Sequence, residues 1–131
     1  MAETKLIPEQ AVATPRFKVG TFTRDQTLTT DLSVTGIGFK PSAIMALIMP
    51  ATSNDALYNS VGFDDGTTKY ALVNKEDKSG YSPHLWYTGD GATWGLYGYV
   101  KSFDSDGFTL GFGKDGTPPA GTFRVMYLAF R

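Results

Sequence analysis

Residues Ser102 to Arg131 read SFDSDGFTLGFGKDGTPPAGTFRVMYLAFR, and this stretch decides the fold class. A turn at Asp104 to Gly107 leads into an apolar strand from Phe108 to Phe112. A Gly/Pro loop, Lys114 to Gly121, separates it from a final strand, Thr122 to Phe130. Tyr127, Leu128, Ala129 and Phe130 are all apolar, whereas loose chain ends are ordinarily polar. The closing strand is therefore expected inside a sheet, as part of the core.

The rest of the chain repeats this grammar. Phe17, Val19 and Thr21 alternate with Lys18 and Gly20, and Leu28, Thr30, Leu32 and Val34 alternate with polar neighbours. A period of two marks a strand with one buried face. Arg24-Asp25-Gln26 is expected to turn the first of these strands into the second. Gly36 to Pro41 (GIGFKP) is a corner, because its glycines tolerate positive φ and Pro41 ends regular pairing. Ala43 to Met49 (AIMALIM) is continuously apolar. Its length and flanking prolines favour a strand buried on both faces, or one packed against another subunit.

Ala51 to Ala56 reads as a polar loop. Leu57 to Phe63 and Thr68 to Asn74 flank Asp64-Asp65-Gly66-Thr67, a strong hairpin signal. Lys75 to Gly80 is a charged turn. His84 to Thr88 and Ala92 to Phe103 flank a second hairpin turn, Gly89-Asp90-Gly91. Many short strands with turns between them predict an all-β domain, a single antiparallel β-sandwich or barrel of jelly-roll type, over residues 16–131. Residues 1–15, with Pro8 and Pro15 and no clear period, read as an extended N-terminal arm.

Composition narrows the function classes. The 131 residues carry a formal net charge of −1 and no basic run longer than two residues, so a nucleic-acid partner is not expected. Without cysteine there are no disulfides and no thiolate metal sites. No apolar run approaches the ~18 residues of a membrane span. The first residues lack an apolar signal-peptide core, which predicts a chain made in a cytoplasm, free to join a particle that leaves the cell.

Little in the sequence suggests catalysis, and no catalytic, cofactor-binding or metal-binding residue is assigned. His84 is the only histidine; it could pair with Ser79 or Ser82 and an aspartate, but packing explains such a residue more simply. Neither GxGxxG nor a GK[ST] phosphate loop occurs. Asp64-Asp65 and Asp104-Ser105-Asp106-Gly107 look like fragments of calcium loops, but neither has the bidentate glutamate. Asx-turn chemistry accounts for both. The aromatic segment from Tyr81 to Tyr99 is the more informative one. Tyr81, His84, Trp86, Tyr87 and Trp94 lie among Gly and Asp, a mixture that suits core packing, a protein interface or a sugar-binding surface. All three uses stay open.

Gly36-Ile37-Gly38-Phe39-Lys40-Pro41-Ser42-Ala43-Ile44-Met45, followed late in the chain by Ser102 to Leu110 and Phe123 to Phe130, resembles a domain that recurs in structural proteins of tailed bacteriophages. There a GFxPxAI strand comes early and FDxDGFTL and RVxYLAF elements close the domain. The resemblance covers Phe17 to Arg131 and implies a β-rich, non-enzymatic component of the virion. The small domain with a short arm suits a head decoration (cement) protein on the capsid surface. Such a protein would be a homo-oligomer, expected as a trimer, bound to the phage major capsid protein through Leu6, Ile7, Pro8 and Arg16. The alternative is the receptor-binding tip of a tail or head fibre, with the aromatics above holding carbohydrate.

Overall fold

A computed structural model describes residues 16–50, 58–75 and 78–131. Ten strands follow one another: β1 Phe17–Asp25, β2 Leu32–Val34, β3 Ala43–Pro50, β4 Asn59–Asp64, β5 Lys69–Lys75, β6 Lys78–Ser82, β7 Trp86–Gly89, β8 Trp94–Asp104, β9 Gly107–Gly116 and β10 Thr122–Phe130. They form a six-stranded sheet, β1-β10-β3-β4-β5-β6, and a four-stranded sheet, β2-β9-β8-β7. All pairings are antiparallel, and the two sheets form an open sandwich rather than a closed barrel. The winding is jelly-roll-like at its ends, where β1 lies beside β10 and β2 beside β9; between them the chain runs as two meanders.

Local turn chemistry sets the hairpins. In the β4–β5 turn the Asp65 carboxylate accepts from the N–H groups of Thr67 (2.9 Å) and Thr68 (2.6 Å). Gly66 takes φ 90°, a conformation other residues resist. The acidic residues of both supposed calcium fragments are engaged in such bonds. Asp106 reaches furthest: its carboxylate accepts from Gly36 N–H (3.1 Å) and Gly38 N–H (2.8 Å), and its carbonyl from Ile37 N–H (3.1 Å). The early corner and the late Asp-Gly turn, far apart in sequence, are thus one structural unit.

The core lies between the sheets. Ile44, Ile48, Phe123 and Val125 face Leu96, Phe108, Leu110 and Trp86, all essentially without solvent contact. Trp86 lies beside Phe123 and Phe112, with ring centroids 5.2 and 5.6 Å away. Its indole covers its cross-strand partner Gly98, where any Cβ would collide with the ring. The apparent excess of glycine in β8 and β9 has the same origin: Tyr97 lies over Gly113 and Tyr99 over Gly111.

Of the charged turn expected over Lys75 to Gly80, Lys75 ends β5 and Lys78 to Gly80 belong to β6. Three other sequence expectations change. Arg24-Asp25-Gln26 does not join β1 to β2 in a hairpin. Instead β1 pairs along its whole length with β10, and β2 crosses to the other sheet. Gln26 is tied to the loop before β10, its N–H donating to Gly121 O (3.0 Å) and its side-chain amide to Pro119 O (2.7 Å). Alternation reveals that a strand has a buried face, not which strand it pairs with. Second, β3 is not buried on both faces: Ile44, Ala46 and Ile48 point inward, while Met45, Leu47 and Met49 remain exposed. Third, β2 keeps only Leu32–Val34 of the longer strand expected from Leu28. Of the capsid-binding residues named above, Leu6, Ile7 and Pro8 lie outside the described residues. Arg16 is exposed, and its carbonyl accepts from Arg131 N–H (2.9 Å).

The outer faces of the two sheets differ. Register places Val19, Leu128, Met45, Phe63 and Tyr70 in one row across the six-stranded sheet. The adjacent row reads Thr21, Met126, Leu47, Val61, Leu72 and Tyr81. The four-stranded sheet instead presents Tyr97, Tyr99, Lys101 and Asp115 among glycines and threonine.

Candidate functional site

The two sheets meet most closely along β4 and β7, and polar bonds stitch this seam. Tyr58 N–H donates to Gly89 O (2.8 Å), and the Thr88 hydroxyl donates to Tyr58 O (2.8 Å). The buried Ser60 hydroxyl accepts from Tyr87 N–H (2.8 Å). Just before β7 the segment Pro83 to Leu85 crosses from one sheet to the other. Leu85 N–H donates to Gly98 O (2.8 Å), and the Leu85 carbonyl fills the space over Gly62 where a side chain would stand.

Beside this crossing lies a cleft of about 420 Å³, at the β6 and β7 edges of the two sheets. Tyr58, Tyr81, His84, Tyr87 and Tyr97 supply its rings; Ser79, Ser82 and Asp115 supply its polar groups. Tyr58 and Tyr87 meet edge to face at 6.0 Å, and His84 stacks on Tyr97 at 3.9 Å. Among the described residues no lysine or arginine lines the cleft; Lys75 is nearby, its Nζ 5.5 Å from the Tyr58 ring centroid and donating to Asp90 O (2.8 Å). Its size falls within the range of small-ligand sites, roughly 300–1,000 Å³.

Burial holds two titratable groups of the cleft toward their neutral forms. Burial pushes the His84 imidazolium below its ordinary 6.5, against the opposing pull of Asp115. Burial likewise raises the Tyr87 phenol above 10.0. Ser82 Oγ and His84 Nδ1 lie 2.8 Å apart, so the structure does bring together the serine–histidine pair that the sequence allows. Ser82 is largely buried, and it lines the cleft beside the ring it bonds.

Of the five aromatics singled out in the sequence, three reach this site and two do not. Tyr81 is 77% exposed on its rim, and His84 and Tyr87 line it. Trp86 and Trp94 belong to the core, so the sugar-contact role does not fit them. Strand alternation separates Trp86 (inward) from Tyr87 (outward). Tyr58 and Tyr97 were not among the candidates: Tyr58 is remote in sequence from the aromatic segment, and only the β4–β7 seam brings it in. Among the described residues no cluster of His, Asp or Glu is arranged to hold a metal ion.

One wall of the cleft is held by Asp90. Its carboxylate accepts from the N–H groups of Ala92 (2.9 Å), Thr93 (2.8 Å) and Trp94 (3.0 Å) and from the Thr93 hydroxyl. The Thr93 hydroxyl and these backbone donors hold its pKa well below the ordinary 3.8. A depressed folded value means a contribution that is complete above the unfolded value and is lost as pH falls through the folded one. Thermal melts between pH 7 and 2 should therefore show Asp90→Asn with a shallower loss of Tm below pH 4 than the parent. Parallel slopes would show that the loop does not depend on this carboxylate.

No family model matches this sequence, and no curated protein matches it. Among solved structures, the Acinetobacter phage vB_ApiP_P1 tailspike protein aligns with 85% of this chain and 20% of its own, at 14% identity and a TM-score of 0.32. A tailspike protein of Acinetobacter baumannii bacteriophage Fri1, a capsular polysaccharide depolymerase, aligns with 95% of this chain and 21% of its own, at 15% identity and a TM-score of 0.31. The chain thus spans about a fifth of the length of these tailspikes.

Proposed function

We propose that this chain is a non-enzymatic carbohydrate-binding domain of a bacteriophage structural protein, of the fibre-tip kind. The observation that carries the binding function is the cleft, where tyrosine rings and an imidazole stand beside a carboxylate and hydroxyls. Aromatic faces pack against the C–H faces of a sugar ring, and the carboxylate and hydroxyls accept or donate to its hydroxyls. The virion assignment rests on the sequence resemblance. Head decoration through the arm rests on residues 1–15, whereas the described residues favour the tip.

The test is a glycan array of bacterial surface polysaccharides, probed with the full chain and with Tyr81→Ala and Asp115→Asn. Both substitutions lie on exposed positions and should spare the fold. Binding to at least one glycan, weakened tenfold or more in both variants, is the expected result. A blank array, or binding unchanged by either substitution, would sink the proposal.

A further inference from the structure

The sandwich has a second unexplained feature, independent of the cleft's ligand. Among the described residues twelve large apolar ones are at least 36% exposed, and eleven of them lie on the six-stranded sheet, Leu28 being the exception. None lies on the four-stranded sheet. Met45 and Leu47 on β3, Val61 and Phe63 on β4, and Tyr70 and Leu72 on β5 form the centre of the two apolar rows. A shallow apolar depression of about 230 Å³ runs between Val19, Met45, Leu47, Val61 and Met126.

Magnitude shows that this is not ordinary surface. With about 200 Å² for each large apolar residue, the eleven leave on the order of 1,000 Å² in contact with water. A monomer's largest apolar patch is about 300–600 Å². One side of a stable protein interface is about 800 Å².

We infer that copies of this chain associate through the outer face of the six-stranded sheet. Charge selects this occupant. Among the described outward positions of the six strands only Arg124 and, at the strand end, Asp25 are charged. A nearly neutral face offers a strongly charged partner nothing, whereas two such faces meet without like-charge repulsion. The other residues of the given sequence offer little apolar surface to match the patch: residues 1–15 have Leu6 and Ile7 as their strongly apolar neighbours, residues 51–57 (ATSNDAL) have Leu57, and residues 76–77 are acidic. The register supplies the geometry, because two broad flat rows can interdigitate as sheets do at ~10 Å separation. Each copy's cleft, at the β6 and β7 edges of the two sheets, stays reachable except at the Tyr81 rim.

Light scattering on the full chain at rising concentration tests this. The expected mass is at least twice 14.2 kDa, falling to one chain in Leu47→Glu and in Leu72→Glu with an unchanged far-UV spectrum. The sequence has no cysteine, so thiol labelling gives a second measurement that needs no charged variant. A Leu47→Cys thiol should react about tenfold more slowly in concentrated than in dilute protein, and a Lys101→Cys thiol on the other sheet equally fast in both. A parent monomeric at every concentration, with Leu47→Cys labelled equally fast throughout, would overturn the inference and leave the face to a different chain. Assemblies that persist unchanged in both Glu variants would overturn it as well.

Discussion

Trp86→Ala is expected to destabilise the domain by about 4 kcal/mol, close to the upper end for a buried aromatic truncation. The side chain is fully buried, and it packs on Phe112 and Phe123 from opposite sheets and covers Gly98. Neighbours on two rigid sheets cannot collapse into the void, so the cavity penalty adds to the lost transfer free energy. Total stabilities of single domains are about 5–15 kcal/mol, so this one substitution removes a large share. The contrast with Trp86→Phe isolates the cause. The buried indole Nε1 has no hydrogen-bond partner, so phenylalanine sacrifices contact area but no hydrogen bond. It should cost about 1–2 kcal/mol. Urea unfolding of the three proteins decides the matter. A loss below about 1 kcal/mol for the alanine variant would mean that Trp86 is not a core residue and return it to the candidates for ligand contact.

Asp64→Ala should cost about 3 kcal/mol through a different mechanism. This carboxylate is fully buried and ends β4. One oxygen accepts from Gly66 N–H (2.7 Å) in its own hairpin turn; the other accepts from Val100 N–H (2.6 Å) on the opposite sheet. Val100 sits at the β8 bulge, where the pairing with β9 shifts between Val100 and Ser102. A bulge leaves a backbone group without a ladder partner, and Asp64 supplies the acceptor. Alanine would strand two backbone donors, one of them buried. Asp64→Asn should be milder, since its amide retains one acceptor oxygen. In thermal melts the alanine variant is expected to lose on the order of 10 °C, and an unchanged Tm would show that neither bond carries weight.

Both residues bear on how much was legible beforehand. The closing strand appears where its sequence places it, Thr122–Phe130, and the two Asp/Gly hairpins turn within a residue or two of the expected positions, at Asp65–Thr68 and Asp90–Thr93. These are local matters: period-two alternation and Asx or left-handed turn residues act over a few bonds. Asp64 read as a turn residue, which is half of its role; the bond to Val100 spans 36 residues and leaves no local trace. Trp86 and Tyr87 were alike in composition and became opposite in role through the pleat.

The sequence by itself determined the all-β class, most strand positions and the turn chemistry, because each depends on φ preference and neighbouring side chains. Tertiary structure alone decided that β1 pairs with β10, that Tyr58 joins the cleft, and which apolar face of β3 enters the core. Those outcomes depend on contacts between segments distant in the chain. Where both faces of a strand are apolar, as in AIMALIM, alternation carries no information about which face turns inward. Only the packing of the second sheet against Ile44 and Ile48 settles it, and that packing leaves Met45 and Leu47 facing outward.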